Sequence, residues 1–397
     1  MADETGATAD WASANVCLAC DMLRDAALMT TRIGGVTIPS ERPGVTAFAL
    51  RRPVGVVAAI APWNAPVVLA ARAIAAPLAC GATVTLKTSE LYPATQRLVG
   101  DAMQAAGFPP GVVNLISNAP EDAESVVEAL IAHPAVRRVS FAGSTRVGRL
   151  VAELAARHLK SAVLELGGKA PLIVLDDADL DEAVRAAAYG AFMNQGQICM
   201  ATARIVVDET VADDFVRRFA MKAATLVAGD PHDRKTPLGT VIGLDASRRL
   251  EALVHDAVMK GARLVAGGAM RGAMVDATAL DDVTPSMRIY DEECFGPVAT
   301  IVRVRGVDEA VRVANDTEYG LSAAVFGRDV RRALAVAQRI ESGICHVNAA
   351  TVQDEAQMPV GGVKASGYGR LGGMAGIDEF TDLRWITLAS QPETYSL

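Results

Sequence analysis

Short apolar runs rich in Val and Ile alternate with longer helical segments along the first half of the chain. The runs lie at residues 54–60, 82–87, 112–116 and 137–141, and helices are predicted to begin at Pro66, near Pro93, near Glu121 and at Ser144. Apolar strands joined by helical crossovers are typical of a parallel sheet covered on both faces. The pattern therefore predicts an α/β unit of the kind that binds nucleotides.

A second α/β series begins near Gly167. Strands are predicted at residues 171–175 and 204–208, a helix near residues 180–193, a polar glycine loop around Cys199 and a further helix after residue 208. Two more strands, at residues 42–52 and 380–389, lie outside both series. Strands so placed commonly pair with each other or with a neighbouring subunit, and we expect one of these two arrangements.

Composition narrows the possible partners. The 397 residues are 51% hydrophobic, and 38 Lys and Arg against 46 Asp and Glu leave a net charge of -8. Binding to nucleic acid or to an anionic membrane needs clustered basic residues, so we expect neither partner. Residues 54–71 are uncharged, but Pro62, Asn64 and Pro66 interrupt them. A strand, a turn and a helix explain this run better than a membrane span.

The cysteines do not form a disulfide framework. They lie at positions 17, 20, 80, 199, 294 and 345. Such scatter in a chain of this size favours a reducing, cytoplasmic location. We interpret all except Cys199 as small buried apolar residues. Cys17 and Cys20 are expected on a helix and not at a metal site, because no second ligand pair exists.

A strand, a short glycine motif and a helix follow one another at residues 137–148. The motif Gly143-Ser144-Thr-x-x-Gly148 offers free backbone N–H groups and a positive helix end, which could bind a pyrophosphate. The alternative is an ordinary helix cap by Ser144. The full G-x-G-x-x-G spacing is missing, so we do not identify an ordinary Rossmann fingerprint.

Three further side chains are candidates for catalysis. Glu165 ends an apolar strand, where burial should raise its pKa and suit it to general-base work, although it could instead pair with Lys169. Cys199 follows Gly196 in a glycine loop and could act as a nucleophilic thiolate. Asn64 could donate to an oxyanion or serve only as a turn residue between prolines.

Together these segments resemble the aldehyde dehydrogenase superfamily, from about residue 4 to residue 389. The similar motifs are ETGA (4–7), PWN (62–64), LKTSE (86–90), FAGSTRVG (141–148), LELGGKAP (164–171), NQGQIC (194–199), EECFGP (292–297), ANDTEYGLSA (314–323) and GGVKASGYGR (361–370). The separation of Glu165 and Cys199, 34 residues, agrees with the family's spacing. Segments such as ATVQDEAQMPVGG (350–362) resemble the sequences of the branch that oxidises salicylaldehyde and vanillin.

The resemblance implies a role for each matching residue. Cys199 would be the nucleophile, Glu165 the general base, and Asn64 with the backbone N–H of Cys199 the oxyanion site. The cofactor would be NAD and no metal would be required. The implied cofactor contacts are Lys87 and Glu90 to the adenosine ribose, Gly143, Ser144 and Gly148 to the pyrophosphate, Glu293 and Phe295 to the nicotinamide ribose, and also Trp63 and Leu166. The Glu90 carboxylate favours NAD because it leaves no room for a 2′-phosphate.

The resemblance also implies the domain organisation and fold class. We expect an α/β protein with a Rossmann-like NAD-binding domain, an α/β catalytic domain and a small β oligomerisation arm. The expected ranges are residues 1–34 and 54–166, residues 167–375, and residues 35–53 and 376–397, respectively. The arm resembles the one through which family members form dimers and dimers of dimers, so a homodimer or homotetramer is expected.

Substrate choice is argued from the tunnel to Cys199. Arg72 stands in the otherwise apolar stretch VVLAARAIA, where the family commonly has an aromatic or apolar residue. A cation there would suit a phenolate, hydroxyl or carboxylate on the aldehyde, whereas pairing with a structural carboxylate is the alternative. Met193, Ile198 and Met200 would supply apolar walls for a ring. We therefore hypothesise oxidation of a hydroxylated aromatic aldehyde.

Three departures from the family pattern stand out. The family has several dozen further residues before ETGA, so we expect the natural protein to be longer. Val360 replaces a usual Phe, which would widen the substrate pocket, and Leu371 replaces a usual Glu.

Other functions remain open at this point. A semialdehyde dehydrogenase would use Arg72 to bind a distal carboxylate. A non-catalytic binding or structural member of the family is opposed by the presence of Cys199, Glu165 and Asn64. A cysteine hydrolase is opposed by the lack of a recognisable Cys-His signature around any of the five histidines.

Overall fold

Two large sheets and a separate three-stranded sheet organise the structure, a computed structural model that describes residues 1–391. The α-helices are α1 (Ala2–Thr5), α2 (Ala9–Met29), α3 (Pro66–Ala79), α4 (Ala94–Ala105), α5 (Ala123–Ala132), α6 (Thr145–Arg157), α7 (Leu180–Phe192), α8 (Glu209–Ala224), α9 (Leu244–Met259), α10 (Arg288–Asp291), α11 (Gly306–Asn315), α12 (Val330–Ala337) and α13 (Gly373–Phe380). The strands are β1 (Val36–Ile38), β2 (Val45–Pro53), β3 (Val56–Ile60), β4 (Thr83–Lys87), β5 (Val113–Ile116), β6 (Val136–Ala142), β7 (Ser161–Glu165), β8 (Ala170–Val174), β9 (Thr202–Asp208), β10 (Arg263–Ala266), β11 (Met270–Arg271), β12 (Met274–Val275), β13 (Thr278–Asp281), β14 (Val298–Val304), β15 (Tyr319–Gly320), β16 (Ser322–Phe326), β17 (Ile344–Val347), β18 (Val363–Lys364), β19 (Gly367–Tyr368) and β20 (Thr381–Ala389).

The first sheet has the strand order β19-β7-β6-β3-β4-β5. Its members are parallel except β19, which runs antiparallel to β7. The predicted strands of the first series and the helix start at Ser144 are confirmed. Ile60 lies in register with both Lys87 and Phe141, so the carboxyl ends of β3, β4 and β6 meet at one edge. Such an edge is where open α/β sheets bind ligands.

The second sheet has the order β10-β13-β14-β9-β8-β16-β17 and is parallel except for β10. Every residue of β8, β9 and β16 is buried. Helices cover both faces and bury two large apolar clusters. This explains why these strands read as continuous apolar runs in the sequence and not as alternating ones.

The two outlying strands pair with each other, as one of the two expected arrangements predicted. β2 and β20 run antiparallel over nine residue pairs, and β1 pairs with the other edge of β2. Residues 392–397 of the predicted arm lie outside the described residues. The predicted domain ranges stay a prediction. Residues 367–368 form β19, which pairs with β7 of the first sheet although it lies in the range expected for the catalytic domain. Gly367 permits this because a Cβ there would lie 2.0 Å from the Leu164 carbonyl oxygen.

The long helix α2 precedes both sheets, and no helix bounds were predicted for this region. Thr8 caps it by accepting a hydrogen bond from the Trp11 N–H, and its buried face packs against α3. Cys17 and Cys20 lie on this helix as expected, but both are exposed, so their interpretation as buried residues was wrong. Among the described residues no helix is long and apolar enough to cross a membrane.

One buried arginine holds several loops of the second unit together. Arg204, in β9, is fully buried and donates hydrogen bonds to the carbonyl oxygens of Val313, Asp316 and Tyr290 at 2.7, 2.9 and 2.6 Å. Its guanidinium also lies 3.9 Å from the centre of the Tyr290 ring. Because Tyr290 lies in α10, these contacts position the segment that leads to Glu293.

We expect Arg204→Ala to lower the free energy of unfolding by about 3 kcal/mol or more, because buried carbonyl oxygens lose their donors. Urea denaturation followed by tryptophan fluorescence measures this. Arg185→Ala is the control, since Arg185 and its partner Glu182 are both 62% exposed, and it should change stability by less than about 0.5 kcal/mol. Equal stability of the two variants would contradict the structural role of Arg204.

Candidate active site

One cavity of about 870 Å³ extends from the amino end of α6 to the loop that carries Cys199. The predicted site residues that line it are Trp63, Asn64, Arg72, Gly143, Ser144, Glu165, Leu166, Cys199, Met200, Glu293 and Phe295. Those that do not line it are Lys87, Glu90, Gly148, Met193 and Ile198. Among the described residues, no group of three or more His, Cys, Asp or Glu is placed to hold a metal ion.

The loop before Cys199 has an unusual backbone. Asn194, Gln195 and Gly196 have successive φ angles of 48, 55 and 65°. A Cβ on Gly196 would lie 2.2 Å from the carbonyl oxygen of Gly296, so only glycine fits there. The left-handed conformation of two non-glycine residues costs free energy and persists only where surrounding contacts hold it.

Asn64 supplies some of those contacts. Its Nδ2 donates to the Gln197 carbonyl oxygen at 2.9 Å, and its own carbonyl oxygen accepts from Asn194 Nδ2 at 3.0 Å and from Trp11 Nε1 at 3.1 Å. The side chain is buried and lines the cavity near Cys199. An amide nitrogen has two N–H groups, so one can still face a developing oxyanion.

Glu165 ends β7 at the cavity wall. Burial raises its pKa to about 7, although the nearby charges of Arg72 and Arg370 act in the opposite direction. Its Oε1 has no hydrogen-bond partner among the described residues. Lys169 is not its partner, because Lys169 Nζ instead donates to the Glu292 carbonyl oxygen at 2.8 Å. Glu165 thus combines a pKa near neutrality with an unpaired acceptor, the properties of a general base.

Cys199 lies half-buried near this carboxylate. Burial, with the charges of Glu165 and Glu293, raises the pKa of its thiol to about 12. Because the thiol pKa is raised, attack on a carbonyl requires a base to take the thiol proton. Cys294 is a poorer candidate because it does not line the cavity and contacts Lys169 Nζ, 3.5 Å away.

Two glycines bring Glu293 against the main chain between the two sheets. The Gly168 N–H donates to Glu293 Oε1 at 3.0 Å, and a Cβ on Gly167 would lie 2.7 Å from Oε2. Phe295, with φ of 48°, meets the Trp63 ring edge to face with centroids 5.7 Å apart. The carboxylate and the aromatic pair form one wall of the cavity between Cys199 and α6.

The amino end of α6 faces the same cavity. Ser144 caps the helix by accepting from the Val147 N–H, and Thr145 and Arg146 also line the cavity. Gly148 does not, contrary to its predicted pyrophosphate contact: a Cβ there would lie 2.3 Å from Leu166 Cδ2. Its small size lets α6 pack closely against the residue that follows Glu165.

Lys87 and Glu90 form an ion pair just outside this cavity. Lys87 ends β4 in register with Ile60, which lines the cavity, so the pair lies at the same edge of the first sheet. Burial acts to raise the pKa of Glu90, but the hydrogen bond from Lys87 outweighs it and the pKa is lowered. Glu90 is therefore an anion at neutral pH.

At the substrate end, only one of the three predicted apolar wall residues lines the cavity. Met200 lines the cavity, whereas Ile198 and Met193 do not, although all three pack in one small apolar cluster with Leu321. Arg72 is paired through Nη2 with Asp354 Oδ2 at 2.5 Å. Sequence reasoning missed Asp354, which lies in a segment without regular structure, 282 residues from its partner.

The two departures near the end of the chain meet at this wall. Val360 and Leu371 exchange two backbone hydrogen bonds of 2.8 Å, and both line the cavity. The expected widening of the pocket by Val360 stays a prediction.

Comparison with known proteins decides the family. A sequence model described as the Aldehyde dehydrogenase family matches residues 1–386. The chain belongs to the aldehyde dehydrogenase family. The predicted family, α/β fold class and enzymatic nature are confirmed.

Individual aldehyde dehydrogenases are also similar. Vanillin dehydrogenase of Pseudomonas fluorescens is 61% identical over 396 residues, which are 100% of this chain and 82% of that protein. The crystal structure of a salicylaldehyde dehydrogenase from Pseudomonas putida G7 complexed with salicylaldehyde has a TM-score of 0.97 and 50% identity, covering 99% of this chain and 82% of that one. Betaine aldehyde dehydrogenase of Staphylococcus aureus in complex with NAD+ has a TM-score of 0.94 and 33% identity, covering 98% and 78%.

We expect Gly148→Ala to lower the free energy of unfolding by about 1–3 kcal/mol, because the added methyl must displace Leu166. Thermal or urea denaturation measures this. Gly34→Ala is the matched control, since its new Cβ would have no atom within 4 Å. If Gly148→Ala were as stable as this control and lost only cofactor affinity, Gly148 would serve the cofactor and not packing.

Proposed function

We propose that this aldehyde dehydrogenase oxidises a hydroxylated aromatic aldehyde, such as vanillin or salicylaldehyde, to its carboxylate with NAD. The observation that carries the proposal is the single cavity that joins Cys199, Glu165 and Asn64 to the amino end of α6 and to Glu293. The similarity to vanillin and salicylaldehyde dehydrogenases supports the aromatic substrate.

The residues at the cofactor end fit NAD. The amino end of α6 presents backbone N–H groups and a positive dipole to a pyrophosphate. Glu293, held by the Gly168 N–H, and Glu90 at the edge of β4 offer carboxylates to the hydroxyls of the two riboses. When bound, NAD supplies the acceptor for the hydride that leaves the aldehyde carbon.

The chain's own residues perform the remaining chemistry. Glu165 accepts the thiol proton and the sulfur of Cys199 attacks the aldehyde carbon, which gives a thiohemiacetal. The Asn64 amide and the backbone N–H of Cys199 stabilise the negative charge on its oxygen. Once the hydride has left, the acyl group is a thioester on Cys199. After Glu165 has passed the thiol proton to solvent, it takes a proton from water, and the oxygen of that water attacks the thioester. The bond between carbon and sulfur then breaks, which releases the acid, and the Cys199 thiolate regains a proton from Glu165.

Assembly and location are proposed on separate grounds. β20 is an edge strand of the three-stranded sheet and exposes Leu383, Trp385 and Leu388 at 62, 72 and 64%. An apolar edge strand is a liability in a lone subunit, which supports pairing in a homodimer or homotetramer. The scattered free cysteines support a reducing, cytoplasmic location.

We expect the purified chain to reduce NAD with vanillin or salicylaldehyde, and Cys199→Ala to lose this activity by a factor of at least about 10³. NADH absorbance measures it. Cys294→Ala, a matched loss of a thiol outside the cavity, should retain activity. A folded, NAD-binding protein inactive towards every aromatic aldehyde would contradict the proposal and favour a non-catalytic role.

The pH dependence should report Glu165. Below pH 7 its carboxyl is protonated and cannot accept a proton, so kcat/KM should rise about tenfold per unit up to about pH 7 and then level off. Glu165→Gln should lower the plateau by about 10²–10⁴ and remove this limb. The measurement is NADH formation from pH 5 to 9. Retention of the limb in Glu165→Gln would assign it to another group.

A further inference from the structure

The wall of the cavity next to Cys199 contains an ion pair where the sequence indicated a lone cation. Arg72 projects from α3 and Asp354 from the segment after β17, and their side chains are only 11 and 14% exposed. Both residues line the cavity together with Cys199 and Glu165. The pair is therefore part of the surface that a bound aldehyde contacts.

The charges at this end of the cavity cancel. Burial acts to lower the pKa of Arg72, but the charge of Asp354 outweighs it and the pKa is raised, so Arg72 remains a cation. Arg370, the other cation near Glu165, donates through Nη1 to the carbonyl oxygens of Gly362 and Gly369 at 2.8 and 2.7 Å. Arg72 and Asp354 together contribute no net charge to the substrate end.

We infer that Asp354 is a specificity-determining residue: by neutralising Arg72, it makes the substrate end accept uncharged hydroxylated aldehydes and reject aldehydes that carry a carboxylate. This inference rests on the proposed function. A carboxylate on the substrate would have to displace Asp354 from Arg72 and leave one of two anions buried without a partner. A neutral hydroxyl group can donate to Asp354 and accept from Arg72 without any such loss.

A second observation favours a hydroxyl donor as the neighbour of Asp354. Only Oδ2 of Asp354 bonds to Arg72, and Oδ1 is buried with no hydrogen-bond partner among the described residues. Buried acceptors in native proteins are almost always satisfied by protein, water or ligand. A phenolic O–H brought to this wall would satisfy the carboxylate, whereas a second carboxylate has no proton to offer it.

The ion pair of Arg72 with Asp354 also bears on the alternative function as a semialdehyde dehydrogenase. A lone Arg72 would be a binding site for a distal carboxylate, but in this chain Asp354 already occupies its Nη2. Specificity arises here by building an unfavourable contact against one substrate class as well as a favourable one for another. Removing the Asp354 charge should therefore leave Arg72 free to bind a carboxylate and create activity towards aldehydes that carry one.

The test compares kcat/KM for hydroxybenzaldehydes and carboxybenzaldehydes, each divided by the value for benzaldehyde, in the wild type and in Asp354→Asn. The carboxybenzaldehyde ratio should rise at least about tenfold in the variant, and the hydroxybenzaldehyde ratio should fall by about the same factor. Asp291→Asn is the matched control, because it removes an equal charge from an exposed position of the same cavity. It should leave both ratios within about twofold of the wild type.

Unchanged ratios in a folded Asp354→Asn variant would overturn the inference. A wild type inactive towards all these aldehydes would instead be a failure of the proposed function. If the unpaired Arg72 prevents folding, the Arg72→Met and Asp354→Leu double variant leaves no unpaired charge. In this double variant the hydroxybenzaldehyde ratio should fall about tenfold and the carboxybenzaldehyde ratio should not rise. An unchanged hydroxybenzaldehyde ratio would again overturn the inference. In a Cys199→Ala background, calorimetric binding of the same aldehydes should follow the same order.

Discussion

The hydrogen bonds of Asn64 are the contacts on which the site depends. Asn64 lies just after β3 of the first sheet, and it donates to Gln197 and accepts from Asn194 in the loop that precedes β9 of the second sheet. These bonds fix the position of Cys199 relative to the carboxyl edge of the first sheet. They also hold a strained left-handed run in place, so the free energy gained in packing the two units together offsets the local cost of presenting the thiol.

The same close approach explains why glycines cluster here. Gly167, Gly168 and Gly196 each lie where a Cβ would collide with a neighbouring group of the site. They allow backbone, carboxylate and thiol to share a small volume. Burial in this volume raises the pKa values of Glu165 and Cys199 together, so the thiol needs a base, and the nearby Glu165 carboxylate, whose pKa is about 7, is placed to act as one.

Local signals in the sequence predicted much of the fold. The strands of both series, the helix start at Ser144 and the existence of the two outlying strands follow from runs, caps and spacing that a few neighbouring residues determine. Contacts between distant residues were not predictable in this way. The partner of Arg72 lies 282 residues away in an irregular segment. The presence of glycine at position 148 does not show which residue, here Leu166, packs against it. Sequence motifs therefore located the site, but the pairing of its charged side chains could be seen only in the folded structure.

The exposed cysteines of α2 affect how the protein can be handled. Cys17 and Cys20 lie about one turn apart on the helix surface, whereas Cys199 is half-buried in the wall of the cavity. A maleimide or disulfide reagent reacts with thiolates that it can reach. Such reagents will modify α2, so a thiol titration of this protein counts these surface cysteines in addition to any active-site thiol that the reagent reaches. Oxidation in air would likewise crosslink molecules through these exposed thiols.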